Sequence, residues 1–132
     1  MSAPVTVFVC TSCKRQFGDR PDFVEMPGKD FAAVLAARLV GQVNITVEPV
    51  ECLAVCKRPL TIALSGEGRF MYIIGDLDPE LHLDDVASAS LAYAATSNGI
   101  VPWRERPQTF RKGVVARIPP LGFKQPEPEL KP

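Results

Sequence analysis

Histidine, net charge and long apolar runs are what this sequence has least of. One histidine, His82, occurs in 132 residues. That excludes sites built on several imidazoles, including an iron–sulfur centre of the Rieske type, which takes two. Lys plus Arg and Asp plus Glu each number 15, so the formal net charge is zero. Nothing global draws the chain to nucleic acid or to a membrane surface, and neither partner is expected. The longest apolar runs, Val5–Cys10 and Phe31–Ala37, fall far short of the roughly 20 residues a helix needs to cross a bilayer. The opening Met1-Ser2-Ala3-Pro4 has neither a basic start nor a long apolar stretch. No secretory signal is therefore expected, and the expected compartment is the cytoplasm. Gly-x-Ser-x-Gly, P-loop and Gly-x-Gly-x-x-Gly motifs are missing, as is any internal repeat.

Apolar residues make up 46% of the chain, enough for the core of one domain. Val5–Val9 is β-branched and aromatic, which predicts a buried strand running into Cys10. Residues 14–28 hold Gly18, Pro21, Pro27 and Gly28 and predict a loop. Lys29–Val40 places Phe31, Val34, Leu35 and Leu39 on one helical face, and Gly41 closes it. Asn44–Val50 predicts a second strand, leading to Cys52. Leu60–Leu64 and Arg69–Ile74 predict two more strands, joined by the turn Ser65-Gly66-Glu67-Gly68. Leu83–Ser97 predicts a second helix, with Asp84 and Asp85 where the helix dipole favours them. The expected fold is thus α/β, four main strands and two helices in the order βαβββα, with an extended C-terminal tail.

That tail differs in kind. Residues 100–132 hold seven of the thirteen prolines, and seven basic against three acidic residues. By count the tail is +4 and residues 1–99 are −4. The expected division is a main domain over 1–99, a basic Pro-rich arm over 100–122 packing on that domain or on a second subunit, and a disordered tail over 123–132. Trp103 is expected to anchor the arm.

Four cysteines carry the chemistry. Cys10-Thr11-Ser12-Cys13 follows the first strand and Cys52-Leu53-Ala54-Val55-Cys56 follows the second. If these strands are parallel neighbours joined by the first helix, both pairs emerge at the same end of the sheet. Stable disulfides are uncommon in the cytoplasm, so four such thiols point to metal or redox chemistry. Four thiolates suit iron–sulfur or zinc. Three readings stand: a [2Fe–2S] cluster, a structural zinc, and a thiol–disulfide oxidoreductase motif. Backbone N–H groups of Thr11, Ser12, Leu53, Ala54 and Val55 would surround the sulfurs. Each pair is followed by two cations, Lys14-Arg15 and Lys57-Arg58, which can offset the negative charge of such a site or be ordinary solvated side chains. Asp76, Asp78, Asp84 and Asp85 form an acidic stretch, read as a solvated loop and helix start.

The stretches Val9–Cys13, Cys52–Cys56, Gly75-Asp76-Leu77, Trp103–Pro107 and Arg117–Pro120 carry a family resemblance. The chain resembles the thioredoxin-like [2Fe–2S] ferredoxins. More closely, it resembles a family of small bacterial proteins, predicted to bind metal, with two paired-cysteine motifs. The resemblance reaches from the first strand to about Gly122. It implies a thioredoxin-like fold, commonly a homodimer, and a soluble electron carrier, not an enzyme, serving an unidentified redox protein partner. Cys10, Cys13, Cys52 and Cys56 are the implied ligands. The first pair is closer together here than in the better-known thioredoxin-like ferredoxins.

Overall fold

A computed structural model describes residues 4–12, 15–17, 20–25, 27–55, 58 and 60–125, with the backbone alone for 15–17 and 20–25. The first strand, β1 (Val5–Cys10), alternates as its sequence requires: Val5, Val7 and Val9 are at most 1% exposed. After the ribbon β2 (Arg15–Phe17) and β3 (Arg20–Glu25), helix α1 (Gly28–Arg38) carries the chain to β4 (Ile45–Val50). Helix α1 buries Phe31, Ala32 and Leu35 against β1 and β4. Val34, expected on that face, is half exposed. Strands β5 (Ile62–Gly66) and β6 (Met71–Ile74) form the expected hairpin, and α2 (Leu83–Ala94) follows. A 3-10 turn at Trp103–Glu105, a short helix α3 (Thr109–Lys112) and a last strand β7 (Val114–Ile118) complete the described elements.

The main sheet runs β4-β1-β5-β6-β7. Strands β1 and β4 are parallel, and every other pairing in the sheet is antiparallel. The β1–α1–β4 crossover is the unit that the sequence order predicts. Tyr72, Tyr93 and Phe110 lie at the centre of the core, with the Tyr72 and Phe110 rings edge to face at 4.7 Å. Tyr93 donates its hydroxyl to the Phe70 carbonyl at 2.6 Å, and burial pushes its pKa up to about 12.

The α/β class holds, but the element count corrects the expectation. Among the described residues there are seven strands and three α-helices, where four and two were expected. Two segments account for the difference. Within 14–28, read as loop, β2 and β3 pair with each other. Pro21 falls between the pairs Gln16–Val24 and Phe17–Arg20, where the ladder is irregular, so its missing N–H breaks no regular bond. In the tail, the prolines bound elements without interrupting them. Pro107 precedes α3, and Pro119 follows β7. Strand β7 pairs with β6, and Phe110 is completely buried. Trp103, the expected anchor, is 60% exposed; Phe110 does that job. Phe123 sets its ring edge-on to Phe70 at 5.1 Å, and residues 126–132 of the expected disordered tail lie outside the described residues. No described helix is long and apolar enough to cross a membrane.

Candidate metal centre at the ends of two parallel strands

The parallel register pairs Val5 with Ile45 and ends with Cys10 opposite Val50. Cys10 therefore closes β1 two residues short of the level at which Cys52 follows β4. The pairing continues past the strands. Thr11 N–H donates to the Val50 carbonyl at 2.8 Å, and Ser12 N–H to the Glu51 carbonyl at 3.0 Å. On its other side Cys10 N–H donates to the Thr61 carbonyl at 3.0 Å. The first cysteine motif is thus clamped between the segments that lead into and away from the second. Cys13 and Cys56 themselves, with Lys14 and Lys57, lie outside the described residues.

The two described sulfurs sit in different surroundings. Cys10 is 2% exposed and belongs to the core cluster, and its Sγ lies 3.7 Å from the Glu51 carbonyl oxygen, the contact of a thiol donating S–H. Cys52 is exposed, and its Sγ accepts a hydrogen bond from Ala54 N–H at 3.2 Å. Ala54 makes that bond with φ at +62°, a left-handed conformation that an L side chain adopts at a cost of about 1–2 kcal/mol. Leu53, between them, packs back onto the core. An N–H aimed at sulfur is what a negatively charged, metal-bound thiolate needs to disperse its charge.

Helix α1 approaches the same place. Gly28, buried, lies so close that a Cβ on it would stand 1.9 Å from the Cys10 carbonyl oxygen and 2.9 Å from Thr11 Cα. Only glycine permits this contact. It brings the N-terminus of α1, the positive end of the helix dipole, against the first motif. In the sequence Gly28 is only a loop signal, because a close approach between distant segments leaves no local trace.

Leaving the second motif, Arg58 donates from Nε to Asp76 Oδ2 at 2.7 Å and from Nη2 to the Gly113 carbonyl at 3.5 Å. Its own carbonyl accepts from Asp76 N–H and Thr61 Oγ1. Arg58 is therefore a tie between the cysteine loop, the end of β6 and the end of α3. The acidic stretch is likewise dispersed. Asp84 pairs with Arg38 at 2.6 Å, Asp85 accepts from Thr109, and Asp78 accepts from the N–H groups of Glu80 and Leu81. His82 precedes α2, with Nδ1 accepting from Asp78 N–H at 2.8 Å. A cleft of about 360 Å³ lies beside these residues, and its Asp76, His82, Asp85 and Thr109 are already bonded within the protein. Among the described residues no three His, Cys, Asp or Glu side chains come together as a metal site.

The donor chemistry fits a cluster at the two sulfurs described: a thiol held at the first strand end, and a sulfur with a backbone N–H already directed at it. Known proteins bear on the fold. No curated protein matches the chain. Two solved structures do, both of a thioredoxin-like [2Fe–2S] ferredoxin from Aquifex aeolicus. One is 16% identical, with a TM-score of 0.54, covering 93% of this chain and all of that one. The other, of the wild-type protein, is 14% identical with the same TM-score, covering 87% of this chain and 99% of that one. At such identity the likeness establishes a thioredoxin-like fold and nothing finer. Residues 7–120 match the pattern of a sequence family, and the chain belongs to that family, described as "Protein of unknown function (DUF1636)".

Proposed function

We propose that Cys10, Cys13, Cys52 and Cys56 together hold a [2Fe–2S] cluster and that the protein is a ferredoxin-like electron carrier, not an enzyme. The observation that carries this reading is the parallel β1–β4 register, which sets Cys10 opposite Val50, just before Cys52. The cluster, when bound, supplies one-electron chemistry. The chain's own residues would do the rest. Ala54 N–H disperses charge from the Cys52 sulfur, Leu53 keeps the loop against the core, and the N-terminus of α1 offsets negative charge near Cys10. A carrier needs an approachable site, and the exposure of Cys52 supports one.

In this reading residues 1–99 carry the site. Residues 100–122 form a basic arm that steadies it or reaches a second copy in a homodimer, and a redox protein is the partner. The dithiol alternative is disfavoured by the burial of Cys10, because the attacking sulfur of a Cys-x-x-Cys pair must be reachable. Anaerobic purification with iron, sulfide and zinc analysis and a visible spectrum tests the proposal. About two irons and two sulfides per chain with a red-brown colour are expected. One zinc in a colourless protein would instead establish a structural zinc site, and metal-free protein with a reversible disulfide would establish the oxidoreductase.

A further inference from the structure

The most exposed aromatic surface of the arm is built as if to be covered. Trp103, the chain's sole tryptophan, is 60% exposed, yet it is not loosely held. The guanidinium carbons of Arg106 and Arg111 lie 5.5 Å and 5.7 Å from its ring centroid. Arg106 is tied by Nε to the Val101 carbonyl and by Nη2 to the Tyr72 hydroxyl. Arg111 donates from Nε to the Trp103 carbonyl and from Nη2 to the Arg104 carbonyl. The indole is thus braced by two cations that are themselves fastened to backbone and core. Arg104, next to Trp103 in the chain, adds exposed charge and has no ion-pair partner among the described residues.

We propose that Trp103, Arg104 and Arg111 form a docking surface for an acidic segment of another protein. Exposed Trp and Arg on a preorganised frame are the residue types that carry most of the energy in protein interfaces. The sign of the partner follows from the cations. Its class follows from two further observations. Glu105 lies within the patch, where it opposes a continuous polyanion such as nucleic acid but can meet a cation on a protein. The chain as a whole has no net charge, so it lacks the broad positive field that binding to nucleic acid or an anionic bilayer relies on. The surface stands on its own residues, and its test does not use the cluster.

The test is titration of the full-length protein with a short synthetic peptide of glutamates flanking a leucine, followed by calorimetry and by the fluorescence of Trp103, which as the sole tryptophan reports on this surface alone. Saturable binding with a fluorescence change is expected, weakening as salt rises. Arg104→Gln combined with Arg111→Gln should weaken it by about tenfold, while Lys29→Gln, on α1, should leave it unchanged. Melting curves on each variant establish that it is folded. The proposal is overturned if the peptide fails to bind, or if the double variant binds it as tightly as the parent. It is equally overturned if an oligonucleotide or an anionic vesicle binds the patch in preference to the peptide. Light scattering that shows a dimer dispersed by the double variant would assign the surface to a second copy of this chain instead.

Discussion

Single residues do unequal work around the cysteines, and Gly28 is the clearest case. Its absent Cβ lets α1 touch the Cys10–Thr11 backbone. Gly28→Ala should cost about 1–3 kcal/mol through overpacking, read as a fall in melting temperature, and should lower the content of the proposed cluster as well because the first motif is displaced. Ala54 is a milder case. Ala54→Gly removes the penalty of the left-handed conformation and should keep the bond to Cys52, whereas a β-branched Ala54→Val should not. Metal content after purification distinguishes them. Far from the site, burial raises the Tyr93 pKa to about 12, above the usual tyrosine value of 10.0. The folded state holds that proton more tightly than the unfolded one. Its contribution is therefore intact below pH 10 and declines between about pH 10 and 12 as the unfolded chain ionises first. Tyr93→Phe should remove that part of the alkaline loss in denaturant melts at rising pH, although it also forfeits the bond to Phe70.

At the scale of elements, the cysteine loop is held by ties to its neighbours. The Arg58–Asp76 pair is partly exposed, at 33% and 56%, so its direct contribution to stability is small, about 1 kcal/mol or less. Its consequence is electrostatic. The cations beside both motifs can offset the negative charge of such a site or be ordinary solvated side chains. Arg58 comes with a carboxylate that cancels much of its field. Asp76→Asn should therefore raise the reduction potential of the proposed cluster, and Arg58→Gln should lower it. Spectroelectrochemical titration of the two variants measures this, and an unchanged potential in Asp76→Asn would mean that Asp76 offsets nothing. The element-scale errors in the sequence reading have the same origin. Strands β2 and β3 were hidden because glycine and proline signal turns locally, while a short ribbon needs only one partner strand beside it.

For the whole molecule, the arm is part of the packed unit. Strand β7 extends the sheet beyond β6, and Phe110 lies completely buried beside Tyr72. Removing the chain after Gly99 would strip both and leave Tyr72 and Ile74 exposed. The truncated chain should lose its cooperative thermal transition. Phe110→Ala in the full chain should cost about 3–5 kcal/mol, the usual range for emptying an aromatic core site. A truncated chain that melts as sharply, and at the same temperature, as the full one would show the arm to be dispensable.

The sequence alone determined the α/β class, the positions of α1, β1, β4 and the β5–β6 hairpin, and the pairing of cysteines with strand ends, because periodicity and turn chemistry are local properties. It also marked Ala54 among the backbone donors for the sulfurs. Tertiary structure decided what no local pattern encodes. It decided that β1 and β4 are parallel and in the register that sets Cys10 opposite Val50, and that Gly28 is a contact site. It also decided that Phe110 is buried while Trp103 faces outward, although both are aromatic residues in the same proline-rich arm. Apolar character tells which side chains can be buried. Which of them is buried depends on where the rest of the chain leaves room, and that is settled only when distant segments pack.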